Sequence, residues 1–167
     1  MEKKEIILGI DPGTRITGFG IIECTAKGPA AIDYGCIRIP THAAPAEKYF
    51  ILFSSIEKLL LGHGPASAAI ESQFVYKNSQ SALKLGMAKG AAMIACAKHG
   101  IPIFEYTPKK AKLAVTGKGS SSKDHVQKMI QILLKLPGLP TPADAADALS
   151  LALCHWQNNQ WQAKIRK

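Results

Sequence analysis

Glu5-Ile-Ile-Leu-Gly-Ile-Asp11-Pro12-Gly13-Thr14-Arg15-Ile16-Thr17-Gly18-Phe19-Gly20-Ile21-Ile22-Glu23 is the stretch on which the reading of this chain turns. Its first seven residues are a short apolar run that stops at Pro12-Gly13, a pair that ends strands and builds tight turns. From Ile16 onward small and β-branched residues resume. The stretch therefore predicts two strands joined by a tight turn, with a carboxylate, Asp11, at the end of the first. Residues 30–39, closed by Pro40, predict a third strand and complete a meander. In 46–61 the apolar residues Tyr49, Phe53, Ile56 and Leu60 fall at helical spacing, and Gly62 and Gly64 end the run, so a helix covers one face of the sheet. A buried strand over 66–71, a long small-residue helix over 78–99 stopped by Gly100, and a strand over 101–106 follow. Thr107-Pro108 opens another helix, with Thr as cap and Pro at the first position. Gly117, Gly119 and the serines at 120–122 predict a flexible loop, and Val126, Met129, Ile130 and Leu133 mark an amphipathic helix over 123–136. Prolines 137, 140 and 142 interrupt the chain before a last helix, capped by Thr141-Pro142 and running to about Gln157. The fold class is α/β: a mixed five-stranded sheet, a three-strand meander then two further strands, flanked by helices. One domain over 1–157 is expected, with 158–167 a basic, disordered tail.

The chain has 167 residues, 47% hydrophobic and 20% charged, which suits one packed domain rather than a disordered chain. No apolar run reaches the roughly 20 residues of a membrane-spanning helix, and the N-terminus does not read as a secretory signal. A cytoplasmic protein without a membrane partner is expected. Four isolated cysteines without a CxxC pair, and five scattered histidines, exclude the usual zinc and redox patterns. Charge is more informative: Lys plus Arg number 21 against 12 for Asp plus Glu, a formal net charge of +9. Between Ser72 and Lys123 nine lysines accompany one acid, Glu105. Clustered cations of this kind suit a polyanion, because they release its condensed counterions. With only three arginines, backbone and shape recognition should outweigh base reading.

Among the few carboxylates, four sit among apolar neighbours: Asp11 and Glu71 at strand ends, Asp144 and Asp147 at the start of the last helix in Ala-Asp-Ala-Ala-Asp-Ala-Leu. Burying such a group is costly unless it is paired, hydrogen-bonded or bound to a cation. Asp144 and Asp147, three apart, project to one side of a helix. Strand ends and a helix start can converge at one sheet edge. Oxygen ligands without His or Cys point to magnesium or manganese. Read alone, Asp144 would only complement the helix dipole.

Four motifs carry a family resemblance: Gly9-Ile-Asp11-Pro-Gly13-Thr-Arg15-Ile-Thr-Gly18-Phe-Gly20; Ala69-Ile-Glu71-Ser-Gln-Phe74; Ser81-Ala-Leu-Lys84-Leu-Gly86 with Lys89-Gly90; and Ala143-Asp144-Ala-Ala-Asp147-Ala-Leu. In this order and spacing the chain resembles the bacterial RuvC-type Holliday-junction resolvases from about Ile6 to His155. The resemblance implies an RNase H-like fold, a homodimer, and Mg2+-dependent symmetric nicking of two opposed strands of four-way junction DNA in recombination and repair, leaving 5′-phosphate and 3′-hydroxyl ends. It implies that Asp11, Glu71, Asp144 and Asp147 are the catalytic, metal-binding acids. Two Mg2+ ions per site, with Mn2+ as possible substitute, would lie about 3.5–4 Å apart across the scissile phosphate. Lys112 and Lys123 match the family's basic junction contacts, and Phe74 an aromatic near the crossover that could stack on an unpaired base. Lys109 and Lys118 join the expected DNA-binding set. A branch-migration complex of RuvA and RuvB type is the further partner the family implies. The usual Glu-Gln-Val-Phe reads Glu71-Ser-Gln-Phe74 here. The small residues of the long helix, Ala82, Gly86, Gly90 and Ala91, suit either the implied dimer interface or packing on the sheet.

Other readings share parts of this pattern. The Asp-x-Gly-Thr turn also resembles the phosphate loop of actin-like ATPases and sugar kinases, folds that need two such domains. A YqgF-type relative shares the first motif but fits the last less well, and a catalytically dead DNA-binding module would have lost the acids.

Overall fold

The computed structural model describes residues 4–72 and 78–165. Strand β1 (Glu5–Asp11) pairs antiparallel with β2 (Ile16–Thr25), which pairs antiparallel with β3 (Gly28–Arg38). The turn between β1 and β2 is closed by Thr17: the Gly13 amide donates to Thr17 Oγ1 at 3.2 Å, and the hydroxyl donates back to the Gly13 carbonyl at 3.3 Å. Helix α1 (Pro45–His63) then returns the chain to β4 (Ser67–Glu71), parallel to β1 on its other side. Helix α2 (Ser79–Lys98) crosses to β5 (Ile103–Tyr106), parallel to β4. The sheet order is β3-β2-β1-β4-β5. Helices α3 (Pro108–Thr116), α4 (Lys123–Leu133) and α5 (Ala143–Ile165) follow.

Period-two alternation sorts the sheet into two faces. Leu8, Ile10, Ile21 and Ile70 pack with Leu52, Ile56 and Leu60 of α1 and the alanines 88, 91, 92 and 95 of α2. Ile7 and Ile22 pack on the opposite face, against Val126 and Ile130 of α4 and Leu149 and Leu153 of α5. A third cluster joins Ala69 and Tyr106 of the parallel strands to Ala111 of α3 and Leu151 and Cys154 of α5. Each fully buried aliphatic side chain of this kind contributes about 1.5–3 kcal/mol.

Over its first turns helix α5 lies so close to β1 and β2 that Gly9, Gly18 and Gly20 beneath it leave no room for a side chain. A Cβ on Gly9 would stand 1.9 Å from the Ala148 carbonyl oxygen, one on Gly18 2.0 Å from that of Asp144, and one on Gly20 2.7 Å from the Leu149 side chain. Gly9 pairs with Gly20 and Asp11 with Gly18, so the glycines form a continuous floor. The glycine-rich first motif is thus a seat for the helix that carries the last.

The sequence places the elements in the right order, and the structure moves some of their ends. The loop at 117–122 is not a free loop: Thr116 Oγ1 donates to the Lys118 carbonyl at 2.8 Å and pairs with Ser121 Oγ at 2.7 Å, while Ser121 Oγ lies 3.0 Å from the same carbonyl. Helix α5 does not end near Gln157 but continues to Ile165, so 158–165 are helical where a disordered tail was expected, and 166–167 lie outside the described residues. Where the extension begins, Gln157 Nε2 donates to the Ala114 carbonyl of α3 at 2.9 Å, and within α5 Asn159 meets His155 Nε2, one turn back, at 3.2 Å. Ahead of α5, Thr141–Pro142 is a cis peptide, and the Ala145 amide donates to the Pro142 carbonyl.

Candidate active site

Two topological facts bring the acids together. Parallel pairing of β1 with β4, with Ile10 opposite Ile70, sets the next residues, Asp11 and Glu71, side by side at the carboxyl ends of adjacent strands. Alternation then puts Asp11 on the same face as Gly9 and Glu71 on the same face as Ala69, the face that α5 covers. Because the glycine floor seats the first turns of α5 there, Asp144 and Asp147 arrive above the strand ends.

These four carboxylates line one cleft of about 280 Å³, together with Lys112 of α3, Lys123 at the start of α4, Pro108, Ala111 and Ser150. Each cation is delivered by a capped helix start: Thr107 accepts from the Lys110 amide at 3.1 Å, and Ser122 from the His125 amide at 3.3 Å. Among the described residues, no three His, Cys, Asp or Glu side chains are close enough to enclose an ion as they stand. The acids share a cleft and a field without forming a closed ligand shell.

That field is strong. Burial, then the charges of Glu71, Asp147 and Asp144, pushes the Asp11 carboxyl from its ordinary 3.8 up to about 8, with Lys123 opposing. Glu71 is raised by burial and by Asp147, against Lys112, Lys123 and Lys89. Asp147 is raised by burial and by Asp144, against Lys123 and Lys112. Two lysines do not neutralise this group, and a multivalent cation would relieve the remaining repulsion. The donor set fits a hard divalent ion: all-oxygen, anionic and half-buried.

The other expected contacts are placed differently. Lys109 and Lys118 are exposed and do not line the cleft; the stem of Lys109 lies against Gly119 of the α3–α4 loop. Phe74 lies outside the described residues. Three neighbours were given no place at the site from the sequence: Ser150, whose hydroxyl donates to the Ala146 carbonyl at 2.9 Å; Lys89, which pairs with Glu105 at 2.6 Å while acting on Glu71; and Cys36, whose thiol is raised by burial and by Asp144. Ser150 and Cys36 belong to no recognisable local motif, and Lys89, though part of the third motif, shows nothing in the sequence of its action on Glu71. Only the position of Ser150, three residues after Asp147, could have suggested that it shares their side of the helix.

A five-stranded mixed sheet of this order, with an acidic cleft at the carboxyl ends of its central strands, defines an RNase H-like α/β protein. Residues 7–155 match the family model described as crossover junction endodeoxyribonuclease RuvC. A crossover junction endodeoxyribonuclease RuvC from Protochlamydia amoebophila is 54% identical over 157 residues, 94% of each chain. The structure of Thermus thermophilus RuvC superposes with a TM-score of 0.86 at 29% identity, covering 94% of this chain and 96% of that one. T. thermophilus RuvC in complex with Holliday junction substrate gives 0.85 at 26% identity, covering 93% and 96%. The chain belongs to the RuvC family of crossover junction endodeoxyribonucleases.

Proposed function

We propose that the cleft is where this resolvase cuts four-way junction DNA, and that Asp11, Glu71, Asp144 and Asp147 hold the metal while Lys112 and Lys123 grip the phosphate backbone. The observation that carries this reading is the convergence of all four carboxylates and both lysines on one cleft. Two Mg2+ ions, or Mn2+ in their place, would activate a water for in-line attack and stabilise the leaving 3′ oxygen when bound. Asp11 and Glu71, fixed by strand pairing, form a rigid side of the ligand set. Asp144 and Asp147 close it from the helix. Lys112 and Lys123 offset the charge that the non-bridging phosphate oxygens bring into the cleft. Lys109 and Lys118, exposed on the rim side of α3 and its following loop, would contact phosphates further along the strand. Phe74, three residues beyond Glu71, is carried as a stacking residue at the crossover.

Symmetric nicking calls for two equivalent sites, and a homodimer supplies them. Support comes from α2. Its alanine face packs on the sheet, while Leu83, Met87 and Ile94 stand 67%, 46% and 62% exposed on the opposite face, beside Gly86 and Gly90 with open space around them. A second copy of this helix fits that stripe. No described helix is long and apolar enough to cross a membrane. A bacterial cytoplasmic setting and a RuvA- and RuvB-type motor as partner belong to the same proposal.

Structure selectivity is tested by comparing a synthetic four-way junction with a linear duplex of the same sequence under single-turnover conditions with Mg2+. Paired nicks across the junction and an intact duplex are expected. Equal cutting of both substrates would contradict the proposal.

A further inference from the structure

His155 is the buried titratable group that the cleft chemistry leaves unused. It lies on α5 at 1% exposure, eight residues beyond Asp147. Its ring stacks on Phe104 of β5 with centroids 4.3 Å apart, its Nδ1 meets Tyr106 Oη at 2.7 Å, and its Nε2 faces Asn159 Nδ2 at 3.2 Å. An amide nitrogen can only donate, so Nε2 is the accepting nitrogen. The neutral ring then carries its proton on Nδ1 and donates it to the tyrosine oxygen. Burial keeps the imidazole neutral by lowering its pKa to about 4.

Tyr106 occupies a junction in the chain. It is the register partner of Glu71, and its carbonyl accepts from the Ser72 amide at 2.8 Å, so it fixes the end of the strand that carries Glu71. The next residue, Thr107, caps α3, the helix that brings Lys112 to the cleft. Its ring packs with Ala111, Leu151 and Cys154, directly between α3 and α5. At the other end of α3, Gln157 of α5 holds the Ala114 carbonyl. Helix α3 is therefore held to α5 at both ends, at the cleft end through Tyr106, two residues ahead of it, whose hydroxyl meets His155 and also Asn158 of α5.

We propose that the His155–Tyr106 pair is a positioning clamp: it sets the Lys112-bearing start of α3 against the Asp144- and Asp147-bearing turns of α5, and so fixes the width of the cleft. The pair touches no substrate. Its effect falls on the rate of cutting more than on junction affinity, because the long stems of exposed Lys109 and Lys118 absorb a small shift of α3, whereas the spacing of groups across the cleft does not. The inference rests on the nuclease reading for its activity consequence, while its structural consequence can be read without DNA.

Three variants test it, Tyr106→Phe, His155→Leu and His155→Asn, the last keeping an N–H donor close to the place of Nδ1. Two measurements are made on each: hydrogen exchange of the α3 amides in the free protein, and single-turnover cleavage alongside the junction dissociation constant. Expected for Tyr106→Phe and His155→Leu are faster exchange confined to α3 and the strand end before it, a cleavage rate down at least tenfold, and a dissociation constant within twofold of the parent. His155→Asn should recover cleavage to within threefold of the parent. Unchanged α3 exchange in both disruptive variants would overturn the proposal. So would a uniform rise in exchange across the sheet, with His155→Asn no better than His155→Leu, because that pattern marks general destabilisation. If the parent cuts no junction, the nuclease reading fails, and the exchange data still decide the clamp.

Discussion

Asp11 is the residue in which strand, cleft and charge meet. Its carboxyl is pushed up to about 8 by burial and three neighbouring acids, so the folded chain binds a proton there more tightly than the unfolded chain does. With metal chelated, its contribution makes stability greatest below about pH 4 and lowers it progressively as pH rises toward about 8. Asp11→Asn removes that slope, so urea midpoints measured in chelator at pH 5 and pH 8 should differ less in the variant than in the parent. The same substitution should abolish cutting and leave junction binding largely unchanged; retained cleavage would remove Asp11 from the mechanism. Lys112→Ala and Lys123→Ala should each weaken binding and reduce the slope of log affinity against log salt by about 1. The acids were legible because each interrupts an apolar surrounding at the end of an element, where a carboxylate needs a reason. The lysines were legible as a set only. Which of them line the cleft depends on the turn of α3 and the cap of α4, and Lys89 acts on Glu71 through space from another helix.

At the scale of elements, the decisive contact is α5 on its glycine floor. Gly18→Ala places a methyl group 2.0 Å from the Asp144 carbonyl oxygen, and backbone on both sides leaves no flexible side chain to yield. Overpacking of this kind costs about 1–3 kcal/mol. The first turn of α5 should lift, so cleavage should fall by more than the lost stability explains, as measured by rate at a temperature well below the melting point. The sequence marks the glycines clearly, but a glycine by itself does not say whether it serves a turn or a close approach. Helix ends were less legible. Residues 158–167 are polar and basic, which resembles a loose tail when read alone. Continuation of the preceding helix, with Asn159 meeting His155 one turn back, makes residues up to 165 a helical extension.

For the whole molecule, the succession of elements was legible through the meander and the alternation of helices and strands, while the full order of strands across the sheet was not. The pairing that matters most, β1 beside β4, has no local signal, because the two strands are separated by β2, β3 and α1. The right-handed crossover rule allows it, and the family resemblance selects it. The proposed homodimer rests on the exposed stripe on α2. Ile94→Glu on that face should turn a dimer into a monomer by sedimentation and uncouple the paired nicks, with the monomer still folded. The proposed nuclease site depends on the four carboxylates drawing metal into one place. Anomalous diffraction from crystals grown with Mn2+ reads this directly: it should show ion density bounded by Asp11, Glu71, Asp144 and Asp147, and density only at other surface acids, with this cleft empty, would contradict it.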